Sequence, residues 1–249
     1  MNIIKRILGH LYYVYGMVIF LITLLLIAFP LSALSLQFPE PRRAKVVHWS
    51  YRLWMEIMLP LVFIFVKRSG KEQFEKGENY VVVLNHNSFV DILVSTPWVP
   101  GPNKTLAKSE LATIPVFGTV YRTGSILVKR EDDKSRKESF VEMQRTLKMG
   151  LHLILYPEGT RNKTDQPMGT FHDGAFVTAI RAQKPVIPGV LLHTKGILPE
   201  RPKFWAWPSP VKICFLPPVP TKGMSLRDAE TLKNTIHQQM LNFIVQHQK

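Results

Sequence analysis

The chain has one cysteine, Cys214, in 249 residues. A disulfide framework within the chain is thereby excluded, and the fold has no need of an oxidising compartment. Also missing are a Gly-x-Gly-x-x-Gly turn, a Walker loop, a Gly-x-Ser-x-Gly elbow and zinc-type spacing of His and Cys. Dinucleotide-binding, P-loop, serine-esterase and zinc-enzyme readings therefore lose their usual signatures, and neither a metal nor a redox cofactor is expected. There is no internal repeat, low-complexity tract or long run of like charge. Acidic residues are scarce: 18 Asp and Glu stand against 32 Lys and Arg, for a formal charge of +14. That excess attracts a polyanion, either nucleic acid or an anionic membrane surface.

The distribution of charge decides between these partners. Leu11 to Leu36 carries no charged side chain and would span about 39 Å as a helix, against roughly 30 Å for a bilayer's hydrocarbon core. A second apolar stretch, Trp49 to Val66, is broken only by Arg52, Glu56 and Pro60. A secretory signal peptide is the competing reading, with Lys5 and Arg6 before the first run and Ala33 and Ser35 after it; the length of the run and the presence of a second one favour an anchor. Residues 1–69 are therefore expected to form a membrane-embedded helical hairpin. Lys5 and Arg6 before the pair and Lys67, Arg68 and Lys71 after it suit two cytosolic ends, while Arg42, Arg43 and Lys45 between the segments suit a hairpin lying in one leaflet. Nucleic acid is not expected as a partner.

Residues 70–249 have the composition of an α/β domain with a mixed central sheet flanked by helices. Strands are expected at Tyr80 to Leu84, Ser125 to Lys129, His152 to Tyr156, Val186 to Leu192 and Val211 to Phe215. Helices are expected at Asp133 to Met149, Phe171 to Ala182 and Ser225 to Val245, the last opened by Ser225 and Asp228 in a capping-box pattern. The proline-rich stretch Leu198 to Pro220 reads as loop around one strand.

Two strand ends carry polar chemistry. Asn85-His86-Asn87-Ser88-Phe89-Val90-Asp91 follows the first strand of the domain. In one continuous helix His86 and Asp91 would point about 140° apart. They meet only if His86 stays in the loop while Asn87 or Ser88 caps a helix that has Asp91 in its first turn. A carboxylate on one ring nitrogen fixes the tautomer and leaves the other nitrogen free to take a proton. With no protein nucleophile nearby, the hydroxyl to be activated would belong to a substrate. The plainer reading is a capped helix with a hydrogen-bonded loop histidine.

The second constellation is Tyr156-Pro157-Glu158-Gly159-Thr160-Arg161. Gly159 permits close backbone approach, Arg161 offers a fork suited to phosphate, and Glu158 can accept from a hydroxyl or pair with an arginine. Taken alone it would be an ordinary charged turn. The strand Ser125 to Lys129 delivers Lys129 and Arg130 to opposite faces, so at most one of them can share the cleft with His86. Lys108 is a further basic candidate.

These blocks, NHNSFVD, GSILVKR, YPEGTR and VIPGVL, stand in the order and approximate spacing of the glycerolipid acyltransferase family, and the resemblance, strongest to its bacterial-type 1-acylglycerol-3-phosphate acyltransferases, covers roughly Gly70 to Leu192. It implies that His86 is a general base oriented by Asp91, and that Glu158, Gly159, Thr160 and Arg161, with Arg130 and Lys108, bind a glycerol-phosphate acceptor. It also implies acyl carrier protein or coenzyme A thioester as donor, membrane lipids as partners, and a catalytic domain on the cytoplasmic face of the cell membrane. Lys129 stands where the family usually has an acidic residue, which leaves room for another lyso-acceptor such as a lyso-aminolipid. A lipid hydrolase using water, and a non-catalytic membrane-tethered protein that binds anionic lipid, are the remaining readings.

Overall fold

The computed structural model describes residues 2–199 and 201–247. The chain opens with α1 (Ile3–Thr23), a π-helical turn (Leu24–Ala28) and α2 (Phe29–Ser35), which run on as one 33-residue helix. The wider turn has a local cause. Pro30 has no N–H to give and its ring crowds the preceding turn, so the ladder shifts to i→i+5 and the Phe29 N–H bonds to the Leu24 carbonyl. α3 (Arg42–Leu61) follows, and only Val62 to Phe65 separate it from β1 (Val66–Ser69).

The remaining elements are β2 (Val81–Leu84), α4 (Val90–Trp98), β3 (Asn103–Lys108), α5 (Phe117–Gly124), β4 (Ser125–Val128) and α6 (Asp133–Lys148). After these come β5 (His152–Leu155), α7 (Gly174–Ala182), β6 (Val186–Leu192), α8 (Thr194–Ile197), β7 (Val211–Phe215) and α9 (Ala229–His247). Ser225 and Asp228 form the expected capping box ahead of α9.

The seven strands form one sheet in the order β1-β7-β6-β2-β5-β3-β4, parallel from β6 to β4 and antiparallel only between β6 and β7. Strand β2 is buried at every position, so its alternate side chains supply two cores. Val82 and Leu84 face α3, α4 and the first helix; Val81 and Val83 face α6, α7 and α9. The parallel strands bring the C-terminal ends of β2, β3, β4 and β5 to one edge of the sheet, where open α/β folds hold their ligands.

The expected hairpin is present as two helices of different character. Among the described residues one helix, Ile3–Ser35, is long and apolar enough to cross a membrane. α3 instead buries Ala44, Val47, Trp54, Met55, Met58 and Leu59 and belongs largely to the core. The first helix is fastened to it by the Tyr12 and Tyr15 hydroxyls, which donate to the Val62 and Leu61 carbonyls, and by Trp54 Nε1 donating to Thr23 Oγ1 at 2.9 Å. β1 and β3 are strands that the apolar pattern did not announce, and β1 joins the sheet beside β7.

Two histidines lie under the opposite end of the sheet. His152 Nδ1 accepts the Tyr80 N–H at 3.1 Å, and Asn103 Nδ2 lies 3.2 Å from His48 Nδ1. Burial lowers both pKa values to about 4. Both rings are then neutral when folded, whereas the unfolded chain takes up protons below about 6.5. Stability is complete above that pH and falls as the pH drops toward 4, where the folded rings titrate as well. Unfolding midpoints measured in detergent from pH 7 to 4.5 should decline steadily, with His152 alone accounting for on the order of 3 kcal/mol.

Candidate active site

His86 leaves β2 in a loop that is fixed on three sides. The Asn85 side chain imitates a strand partner: its Nδ2 donates to the Leu191 carbonyl at 3.0 Å and its Oδ1 accepts the Leu191 N–H at 2.7 Å. The His86 N–H donates to Glu158 Oε1 at 2.7 Å, and the His86 carbonyl accepts the Asn162 N–H at 2.6 Å. The His86 loop is thus held by β6 and by the turn after β5.

His86 Nδ1 lies 2.8 Å from Asp91 Oδ2, which also accepts the N–H groups of Asn87 at 2.6 Å and Ser88 at 2.7 Å. With a carboxylate as its partner, Nδ1 carries the hydrogen and Nε2 is left with its lone pair. The loop placement of His86 and the first-turn placement of Asp91 agree with expectation, but the cap differs. Helix α4 begins at Val90 behind Phe89, Ser88 Oγ stands 3.4 Å from the Val90 N–H, and Asp91 reaches back to the N–H groups of Asn87 and Ser88. Asp91 is fully buried, and among the described residues its Oδ1 has no hydrogen-bond partner.

The His86 ring lies against Tyr156, centroids 4.4 Å apart, and the Tyr156 hydroxyl sits 2.7 Å from Ser95 Oγ. Burial, reinforced by the Asp91 charge, holds the Tyr156 phenol well above its ordinary pKa, so it packs as a neutral wall.

Glu158 differs from expectation. Its Oε1 accepts the His86 N–H and its Oε2 accepts the Gly169 N–H at 2.8 Å. Burial raises its pKa, although both N–H donors and His86 pull the other way. This enclosed carboxylate joins two backbone segments and so helps to hold the His86 backbone, a contact that the sequence reading of an acceptor for a hydroxyl or a partner for an arginine did not include. Gly159 has φ +70°, and a Cβ there would meet the His172 ring at 2.9 Å, so the turn admits glycine alone. Its carbonyl accepts from Arg130 Nη1, which ties the end of β4 to the turn.

Arg161 stacks its guanidinium 3.7 Å from the centre of the ring of Phe89, which follows His86 in its loop. Thr160 is exposed, with its hydroxyl on the Arg161 carbonyl at 3.1 Å. Lys129 is exposed while Arg130 turns inward, as strand alternation requires. Lys108 ends β3 opposite Val128 of β4 and is exposed at the same sheet edge.

Beside this loop lies an apolar cavity of about 380 Å³. Its walls include Phe89 and Val90 of the His86 loop and α4, Met55 and Met58 of α3, and Gly16 and Phe20 of α1. No motif marked it, because its lining is gathered from segments far apart in sequence.

Comparison with known proteins gives the same assignment. The model of the acyltransferase family matches residues 65–192. The chain belongs to the acyltransferase family. It is 31% identical over 182 residues to the chloroplastic 1-acyl-sn-glycerol-3-phosphate acyltransferase LPAT1 of Arabidopsis thaliana, covering 72% of this chain and 49% of that one. It is 31% identical to the human 1-acyl-sn-glycerol-3-phosphate acyltransferase alpha over 72% of this chain and 63% of the relative. The bacterial 1-acyl-sn-glycerol-3-phosphate acyltransferase of Helicobacter pylori is 33% identical over 130 residues, 52% of this chain and 54% of the relative. The chain thus spans between about half and just under two thirds of these relatives. In fold it matches the crystal structure of the 1-acyl-sn-glycerophosphate acyltransferase PlsC from Thermotoga maritima, with TM-score 0.73 and 23% identity, covering 99% of this chain and 97% of the other.

Two substitutions separate positioning from binding in this acyltransferase. Glu158→Gln puts an amide where one of two N–H donors needs an acceptor, so the His86 backbone shifts; kcat should fall by about 10²-fold with the KM for the acceptor unchanged. Arg161→Ala should raise the KM for a phosphate-bearing acceptor by roughly 10- to 100-fold, the value of a charge-assisted contact. Steady-state kinetics on both variants distinguish the two roles.

Proposed function

We propose that this acyltransferase moves a fatty acyl group from an acyl thioester, carried by acyl carrier protein or coenzyme A, to the free sn-2 hydroxyl of lysophosphatidic acid, forming phosphatidic acid. One observation carries the reading: the oriented His86–Asp91 pair lies at a parallel-strand edge with Arg130 and Arg161 nearby and an apolar cavity directly behind its loop. The relatives named for this reaction support the same acceptor.

His86 Nε2 takes the hydroxyl proton as that oxygen attacks the thioester carbonyl. Asp91 steadies the imidazolium through Nδ1, and collapse of the tetrahedral intermediate expels the thiolate, which His86 can reprotonate. Arg161 and Arg130 are suited to hold the acceptor's phosphate, Lys108 to add positive charge at the same edge, and the cavity to take an acyl chain out of water.

The acceptor and product are lipids, and the first helix is fitted to hold the enzyme where they reside. At 1.5 Å per residue its 33 residues run about 50 Å. It is fastened to the domain near its start, at Gly9 by Ala206, and past its middle, at Thr23 by Trp54. A helix held along its length against a folded domain suits burial in one leaflet, on the cytoplasmic face, better than a crossing.

The test is acyl transfer from a long-chain thioester by purified protein in vesicles, offered lysophosphatidic acid or a lyso-aminolipid. Phosphatidic acid formation supports the proposal. Acylation of the lyso-aminolipid alone would replace the acceptor, and free fatty acid released without any acceptor would replace transfer by hydrolysis.

A further inference from the structure

The loop between α8 and β7 contains Arg201-Pro202-Lys203-Phe204-Trp205-Ala206-Trp207-Pro208-Ser209-Pro210, and none of its side chains takes part in the proton transfer or phosphate binding described above. Three prolines exclude a helix or an internal strand, yet the loop is closely fastened, and its partner is the start of α1. The Ala206 N–H donates to the Gly9 carbonyl at 3.1 Å, His10 Nδ1 donates to the Phe204 carbonyl at 2.8 Å, and Trp205 Nε1 approaches the Lys5 carbonyl at 3.4 Å. Trp205 fills the place of the side chain that Gly9 lacks: a Cβ at position 9 would fall 1.8 Å from the indole nitrogen. The Lys5 ammonium stands 5.2 Å from the centre of the Trp207 ring.

Within this tied segment one aromatic side chain is turned outward. Phe204 is 69% exposed, and its backbone has φ +56°, a conformation that a bulky side chain rarely adopts. Its ring meets Tyr13 of α1 edge-on at 5.8 Å, so it adjoins the helix whose Ile3, Ile4, Ile7, Leu8 and Leu11 are also exposed. Arg201 and Lys203 precede it closely in sequence, both exposed. A protruding aromatic ring with neighbouring indoles and two cations just before it form the pattern of a protein segment at the boundary between headgroups and acyl chains.

We propose that the Arg201–Pro210 loop is a second membrane contact: Phe204 enters the headgroup–acyl boundary of an anionic bilayer, Arg201 and Lys203 meet lipid phosphates, and Trp205 holds the loop in register with α1. The proposal rests on the reading of α1 as a membrane-embedded helix, and it adds a site 200 residues downstream that would fix how deeply the enzyme sits. Ala206 also lines the apolar cavity, so the depth of the loop sets the depth of the cavity wall.

Three single-cysteine chains test it, each in the full-length protein with the buried Cys214 changed to Ser. Phe204→Cys, Ile7→Cys and Lys137→Cys are labelled with an environment-sensitive fluorophore. They are then bound to vesicles of phosphatidylcholine with phosphatidylglycerol that carry a spin label near the top of the acyl chain. Blue-shifted emission and quenching at positions 204 and 7, with neither at 137 on α6, is the expected result. Neutralising both cations, Arg201→Gln with Lys203→Gln, should then reduce quenching at 204 and leave position 7 unchanged. Each cation near an anionic surface favours insertion about fivefold, or about 30-fold for the pair. Quenching at 7 without quenching at 204 overturns the loop contact while leaving the α1 reading intact; quenching at neither position overturns both.

Discussion

His86→Ala should lower acyl transfer by about 10²- to 10⁴-fold, the usual contribution of a positioned base, while the protein folds and binds vesicles as before. The fold should tolerate the change because the loop is held through backbone groups: Glu158 and Asn162 keep their bonds to residue 86 whatever its side chain, and Asn85 stays bridged to Leu191. Asp91 Oδ2 also keeps the Asn87 and Ser88 N–H groups, so no unpaired charge is created. Asp91→Asn should reduce turnover as well, since the amide cannot stabilise an imidazolium as a carboxylate does. Phosphatidic acid formation, measured beside near-UV circular dichroism, checks both variants; loss of turnover accompanied by loss of tertiary signal would remove His86 from the chemistry and make it a structural residue.

The second large effect is expected at Gly16. A Cβ added there meets no atom within 4 Å, and the residue lines the apolar cavity, so Gly16→Leu places a branched side chain in the space assigned to the acyl chain. The substitution should not harm the helix, because leucine is favoured over glycine in helical conformation by roughly 0.5–1 kcal/mol. Discrimination between long- and short-chain thioesters should therefore move toward the short ones by roughly 10- to 200-fold, the range within which pockets sense small changes in apolar volume. Competition between two donors of different length, with products separated by mass, measures it. An unchanged product ratio would place the acyl chain elsewhere.

Much of this molecule was legible in the sequence, and the gaps share a physical origin. Strands β2, β5, β6 and β7 are continuous apolar runs or nearly so, because parallel strands in a covered sheet are buried on both faces, and they were found close to their true bounds. β3 was missed because the residues it buries include Asn103 and Thr105, whose polar groups find tertiary partners, Thr105 on the Ile154 carbonyl of β5 and Asn103 on the Thr96 carbonyl of α4. β1 was missed because Lys67, Arg68 and Ser69 are exposed on an edge strand.

The His86–Asp91 contact could be anticipated because the spacing allows only one local arrangement. The role of Glu158 could not, because a glutamate that holds two backbone amides reads the same as one that awaits a substrate. Asn85 and Asn162 were passed over for a similar reason: amide side chains at strand ends are common, and only tertiary structure shows which backbone groups they meet. α3 misled in the opposite direction, since an apolar face directed at a protein core and one directed at lipid tails have the same composition.

Only four residues separate α3 from β1, and that short joint governs how the enzyme would meet its substrate. A catalytic domain on a long tether could search the water above the bilayer; this one, joined without slack through α3 to the apolar first helix, would be confined to a plane once that helix lies in a bilayer. Its encounters with acceptor would then be two-dimensional, governed by the mole fraction of lysolipid in the surface rather than by its concentration in solution. Diluting the vesicles with buffer should leave the rate per enzyme unchanged, whereas diluting the lysolipid with inert phospholipid should slow it in proportion.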